Sequence, residues 1–146
     1  MAETLGSLCD KLTIIKLKQY HTEDKATIKS LNLQESQLVD EIDLFLNDAI
    51  KGVIPVQKLE FASNKIFKEE GNQVNDIKGK IGEVFSKLAE VNCDLWHEQE
   101  KVYDFEAILS EEKNNVVKKL ALLNLERNKC IDSINQTLKE IVVENK

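Results

Sequence analysis

A single proline, five glycines and 5% aromatic residues leave this 146-residue chain short of the turn-forming and cross-strand residues that a sandwich or barrel needs every ten positions or so. Nowhere do eighteen apolar residues run together, and Met1 to Ser7 has no basic region ahead of an apolar stretch. Neither a membrane span nor a secretory leader is therefore expected. The cysteines, Cys9, Cys93 and Cys130, are odd in number, far apart and outside any C-x-x-C pattern. They read as buried free thiols in a reducing compartment, which places the protein in the cytoplasm. With 20 basic against 26 acidic residues the net charge is −6, a field that opposes nucleic-acid polymers and anionic membrane surfaces.

What the chain does have is 42% hydrophobic and 32% charged content, enough for a core, which excludes a disordered tail or a disulfide-stapled miniprotein. The length suits one domain, residues 1–146, of all-α class. Ile77, Ile81, Val84, Leu88, Val91, Leu95, Val102, Phe105 and Leu109 step by fours and threes with Glu98 the one polar member, a heptad seam that predicts a long helix. Ser110, ahead of Glu111 and Glu112, suits the N-cap of the next helix, whose stripe is Leu120, Asn124, Arg127, Ile131, Ile134, Leu138 and Ile141. In the first half Leu8, Leu12, Ile15 and Gln19 mark one helix. Val39, Ile42, Leu46 and Ala49 mark another, ended by Gly52. Between the hairpins, Pro55, Leu59, Ala62 and Ile66 predict a short crossover helix before Gly71. The expected architecture is an elongated four-helix bundle: a first antiparallel hairpin over 5–52, a crossover over 53–76, and a longer second hairpin over 77–143.

The hairpins read as an internal duplication. Lys11-Leu12-x-x-Ile15 with Tyr20-His21 overlays Lys87-Leu88-x-x-Val91 with Trp96-His97 at an offset of 76, and Leu31-Asn32-Leu33 with Val39-Asp40-x-Ile42 overlays Leu123-Asn124-Leu125 with Ile131-Asp132-x-Ile134 at an offset of 92. The 16 residues of difference imply that the second hairpin projects about two turns beyond the first. Its tip would carry Val102, Phe105, Leu109, Val116, Val117 and Leu120, which the shorter hairpin cannot cover. Such a stripe predicts self-association through the tip as a two-fold dimer.

Polar residues in an apolar seam need partners. Arg127, the one arginine beside nineteen lysines, is expected to reach Asp94 or Glu98. Its planar, bidentate donor suits either a register-fixing salt bridge or a pocket for an anion. Asp94-x-x-His97 puts a carboxylate and an imidazole on one helical face, yet Lys18 stands where the first repeat would need the carboxylate, so no metal centre is assigned. The carboxylate clusters Asp40-Glu41-x-Asp43 and Glu98-x-Glu100-x-x-x-Asp104 are reminiscent of magnesium-dependent all-α nucleotide pyrophosphohydrolases, but the paired E-x-x-E and E-x-x-D motifs are missing. No catalytic residues and no cofactor are assigned.

Leu5-Gly6-Ser7-Leu8-x-Asp10-Lys11-Leu12-Thr13-Ile14-Ile15-x-x-Lys18, Val91-Asn92-x-x-Leu95-Trp96-x-x-x-Glu100, Asn124-x-x-Arg127 and Ile134-Asn135 resemble blocks of an uncharacterised bacterial all-helical family. That family opens on GEL-x-DK-ITIL-x-x-K, with Glu where this chain has Ser7, and often has a Glu where Gln99 stands. The resemblance implies a helical fold and a bacterial or phage-like source, and no reaction. It also singles out Asp10, Lys11, Asn92, Trp96, Glu100, Asn124, Arg127 and Asn135 as a mid-bundle polar cluster. The function expected is a non-enzymatic binding module. It would self-associate and bind a partner, or sequester a small anionic ligand such as a nucleotide or sugar-phosphate, through Lys11, Asn92, Trp96, His97, Glu100, Asn124 and Arg127. A metal-dependent phosphohydrolase acting on nucleotides through Glu98, Glu100 and Asp104 is the alternative.

Overall fold

A computed structural model describes residues 3–61 and 77–145. Four helices account for nearly all of them, with no strand among the described residues: α1 Leu5–His21, α2 Lys25–Lys51, α3 Ile81–Tyr103 and α4 Ser110–Glu144. The all-α class read from composition is the class observed.

Local chemistry sets most of the boundaries. Thr4 caps α1 by accepting from the Ser7 amide at 3.3 Å, while Ser7 Oγ accepts from the Thr4 amide at 2.9 Å. Thr4 and Ser7 thus form a reciprocal capping box. Asp24 starts α2 by accepting from the Thr27 amide at 3.0 Å and from its hydroxyl at 2.6 Å. Gly52 ends α2 at φ 78°, a left-handed conformation that glycine adopts without a Cβ penalty, as its place after the stripe led one to expect.

Three boundaries differ from those expected. α3 begins at Ile81 and unwinds after Tyr103, so the seam from Ile77 to Leu109 is not one helix. A 3₁₀ turn over Phe105–Ala107 reverses the chain there, with Lys113 of α4 seated over the Phe105 ring at 4.8 Å. Leu109, not Ser110, holds the N-cap position of α4, and no side chain caps it. Pro55 opens a single 3₁₀ turn, Val56–Lys58, that delivers Leu59 into the core; the rest of the expected crossover helix, with Ala62, Ile66 and Gly71, lies outside the described residues.

The contacts define the packing. α1 pairs with α2, α3 pairs with α4, and α1 rests on both α3 and α4. Asp10 and Thr13 meet Asn92, and further along His21 meets Trp96, so α1 and α3 run parallel. Gly6 meets Asn135 while Asp10 meets Arg127, so α4 runs antiparallel to α1. One core joins Leu5, Cys9, Ala49, Leu59, Val84, Leu88, Cys130, Ile134, Leu138 and Val142. Because α4 serves two neighbours, its buried arc is wider than the single stripe of the sequence reading: Leu123, Leu125, Cys130 and Val142 are buried and Ile141 is exposed. Cys9 and Cys130 are buried, and burial pushes both thiols up to about 11. Cys93 is exposed, against expectation, because its position on α3 faces the rim of a surface groove.

The start points of α1 and α3 are 76 positions apart and the end points of α2 and α4 are 93 apart, so the extra length of the second pair lies at its inner ends. Trp96 stacks on the last residue of α1, and α3 continues to Tyr103, about two turns further. The overhang is closed by its own packing more than expected. Val116 is buried, Val102, Phe105 and Leu120 are half-buried, and only Leu109 and Val117 of the anticipated stripe are exposed.

At Gly6 the α1 backbone lies close against α4. A Cβ there would lie 2.4 Å from the Ile131 carbonyl oxygen and 2.9 Å from Asn135 Oδ1. Gly6→Ala is expected to destabilise the protein by about 1–3 kcal/mol in urea unfolding. Gly82→Ala, with open space around its Cβ, is expected to be neutral or to stabilise by about 0.5 kcal/mol.

Candidate functional site

Asp10 is a buried carboxylate that draws donors from two other helices. Its Oδ1 accepts from Arg127 Nε at 2.8 Å and from Asn92 Nδ2 at 3.0 Å, and its Oδ2 accepts from Arg127 Nη2 at 2.5 Å. Asn92 Nδ2 also donates to Thr13 Oγ1 at 2.6 Å, and the Thr13 hydroxyl donates to the Asp10 carbonyl at 2.7 Å. One turn earlier the Gly6 amide donates to Asn135 Oδ1 at 2.7 Å. Three helices are tied at one level. A buried carboxylate requires this density of donors, since leaving it unpaired would cost several kcal/mol. Among the described residues Asn92 Oδ1 has no hydrogen-bond partner, although Asn92 is almost wholly buried.

Arg127 therefore pairs with Asp10 and not with Asp94 or Glu98. A pairing with Asp94 or Glu98 would need Arg127 to turn toward α3, whereas it faces α1. The hydrogen bonds to Asp10 raise the guanidinium further above its ordinary value against the opposing effect of burial. Glu98 has partners of its own, Lys101 at 3.0 Å and Lys119 at 3.1 Å. Burial alone would raise its carboxyl, and the two lysines outweigh that and hold it below the usual range. Glu98 thus clamps the base of the overhang, while Asp94, Glu100 and Asp104 are exposed. No three of His, Cys, Asp and Glu gather into a metal-binding group among the described residues, so the carboxylates of the hydrolase alternative do not converge.

Arg127 is also part of the wall of a groove of about 370 Å³. Lys11, Ile14 and Lys18 of α1 and Gln34, Gln37 and Glu41 of α2 form its sides. Two of the five guanidinium N–H donors of Arg127 are used on Asp10, and its side chain is about one-third exposed. Lys11 pairs with Glu3, and Lys18 has no partner among the described residues. On the opposite face of α1 an apolar groove of about 330 Å³ runs between Leu12, Leu17 and Tyr20 and the α3 residues Phe85, Ala89 and Cys93.

Of the residues expected to form one site, the structure brings together Lys11 and Arg127 at the groove, with Asn92 behind the Asp10 carboxylate. Trp96 and His97 lie elsewhere, at the end of α1 against His21. Glu100 is exposed on the overhang, and Asn124 is half-buried, its carbonyl accepting from Asn128 at 2.8 Å. Lys18, Gln34 and Gln37 were missed. The available signal was spacing: Lys11 and Lys18 are seven apart on α1, as are Gln34 and Glu41 on α2, so each pair shares one helical face.

No family model matches the chain, and no curated protein and no solved structure shows significant similarity to it.

Arg127→Lys keeps the charge and loses the fork. Chemical unfolding is expected to show a loss of about 1–3 kcal/mol for this variant. A variant as stable as the wild type would contradict the role given to the bidentate pair.

Proposed function

We propose that this chain is a non-enzymatic helical module that sequesters a small anionic ligand, of nucleotide or sugar-phosphate type, in the groove between α1 and α2. One observation carries the reading: the single arginine is fixed in plane by a buried carboxylate at the wall of an open groove, with spare N–H donors and two lysines on the same surface. A guanidinium already oriented loses little freedom when it takes a phosphate or carboxylate oxygen. Lys18 adds an uncommitted charge, Gln34 and Gln37 add neutral donors and acceptors suited to hydroxyls, and Ile14 and Leu38 supply apolar floor. The groove has room for a phosphorylated sugar. Free thiols at Cys9, Cys93 and Cys130 suit a reducing cytoplasm, and no helix among the described residues is long and apolar enough to cross a membrane.

The module self-associates in this reading, through the exposed Leu109 and Val117 and the neighbouring Tyr103 at the tip of the second hairpin. Nothing in the arrangement of Glu98, Glu100 and Asp104 favours the hydrolase alternative.

Isothermal titration with inorganic phosphate, a hexose phosphate and a nucleoside monophosphate tests the groove. Saturable binding of a phosphorylated probe is expected, weakened by roughly tenfold in Lys18→Ala and by added salt. Lys18 is solvent-exposed and has no partner among the described residues, so this variant leaves the fold intact. Absence of binding by every probe, or binding indifferent to Lys18→Ala, would contradict the proposal. Sedimentation of the same samples reads the oligomer: a dimer is expected, and Val117→Glu should dissociate it.

A further inference from the structure

Both histidines of the chain meet where α1 ends. The last residue of α1, His21, stacks on Trp96 of α3 with ring centroids 4.7 Å apart and planes at 22°. Its ring centroid is 6.4 Å from that of His97, the next residue of α3, with planes at 79°. Tyr20 meets His21 edge-on at 5.2 Å. His97 shares a helical face with Asp94, but the ring that the fold brings toward it is an imidazole from another helix.

The hydrogen bonding decides which nitrogens are available. His21 Nδ1 lies 2.8 Å from the Leu17 carbonyl oxygen, which can only accept, so Nδ1 carries the proton and the lone pair of the neutral ring is on Nε2. A ring N–H donated to a backbone carbonyl is the outer support that metal-ligating histidines have in general, because it fixes the tautomer and the ring orientation. Stacking on Trp96 restricts the same ring further. Neither nitrogen of His97 has a hydrogen-bond partner among the described residues, and both side chains reach solvent. A metal bound at about 2.1 Å sits roughly 3 Å from each ring centroid, so two imidazoles on one ion have centroids about 5–6 Å apart. The observed 6.4 Å is within a small side-chain rotation of that separation.

We propose that His21 and His97 form a two-imidazole site for a late first-row divalent cation of the Cu²⁺, Ni²⁺ or Zn²⁺ class. Imidazole suits these ions and is a poor ligand for Mg²⁺ or Ca²⁺. No third His, Cys, Asp or Glu joins the pair among the described residues, so water completes the coordination shell and positions stay open to an incoming ligand. A bridged ion would tie the end of α1 to α3 at the level where the overhang begins. The site shares no residue with the anion groove and does not depend on it.

Trp96 is the chain's one tryptophan and gives the test its reporter. Cu²⁺ held by His21 would lie beside the indole and quench its fluorescence. Titration of the full chain with Cu²⁺ is expected to give saturable quenching at one equivalent, reversed by chelator and competed by Zn²⁺. His21→Gln and His97→Gln should each weaken binding by about tenfold or more while far-UV circular dichroism is unchanged. Because removing His21 also removes the stacked ring, Zn²⁺ calorimetry on both variants supplies a readout independent of Trp96. Linear, non-saturating quenching would overturn the site, as would Zn²⁺ affinity unaffected by either substitution. Mg²⁺ is expected to produce no change, and Mg²⁺ binding equal to that of Zn²⁺ would also overturn it.

Discussion

The Asp10 carboxylate is the constraint on which the arrangement of helices depends. It is buried in the middle of α1, and its donors come from two other helices, Asn92 on α3 and Arg127 on α4. Apolar contacts tolerate sliding by a fraction of a turn, because any greasy neighbour will do. A planar guanidinium fork and a side-chain amide do not, since a shift of one residue would leave a charge without partners in a low-dielectric interior. The Gly6 contact, with its amide on Asn135 and no room for a Cβ against Ile131, fixes the same register a second time, one turn away.

Once α1 is fixed, the surfaces around it follow. Its polar flank, with Lys11 and Lys18, faces Gln34, Gln37 and Glu41 of α2 across the groove into which Arg127 extends. The opposite flank leaves an apolar groove toward α3. The end of α1 places His21 on Trp96 beside His97. Beyond that level the second hairpin stands alone, pinned at its base by Glu98 between Lys101 and Lys119. One residue pair thus acts twice: Asp10–Arg127 holds the bundle together and presents an oriented guanidinium to solvent. The geometry that closes the salt bridge also leaves Arg127 lining the groove on which the anion-site proposal rests.

Much of this was legible because helices write local patterns. The stop at Gly52, the core positions Val84, Leu88 and Val91, and the greater reach of the second hairpin all follow from spacing. The partner of Arg127 was not legible, because Asp10 is 117 positions away and only the packing of α1 on α4 brings it near. Nothing in the sequence around Asp10 says what it bonds. The end of α3 at Tyr103 was hidden for a related reason: Phe105 and Leu109 continue the heptad, and only the need to reverse the chain under Lys113 breaks the helix. Cys93 misled because free cysteine is usually buried, and here the neighbouring groove leaves it exposed.

Native-state hydrogen exchange on Asp10→Asn, which is close to isosteric but cannot accept the guanidinium as a carboxylate does, is the most direct test of the claim that Asp10 holds α1 between α3 and α4. The expected result is a selective loss of amide protection in α1, with the α3–α4 hairpin around Val84 to Val91 and Cys130 to Leu138 retaining most of its own. Protection unchanged in α1, or lost equally in all four helices, would contradict it.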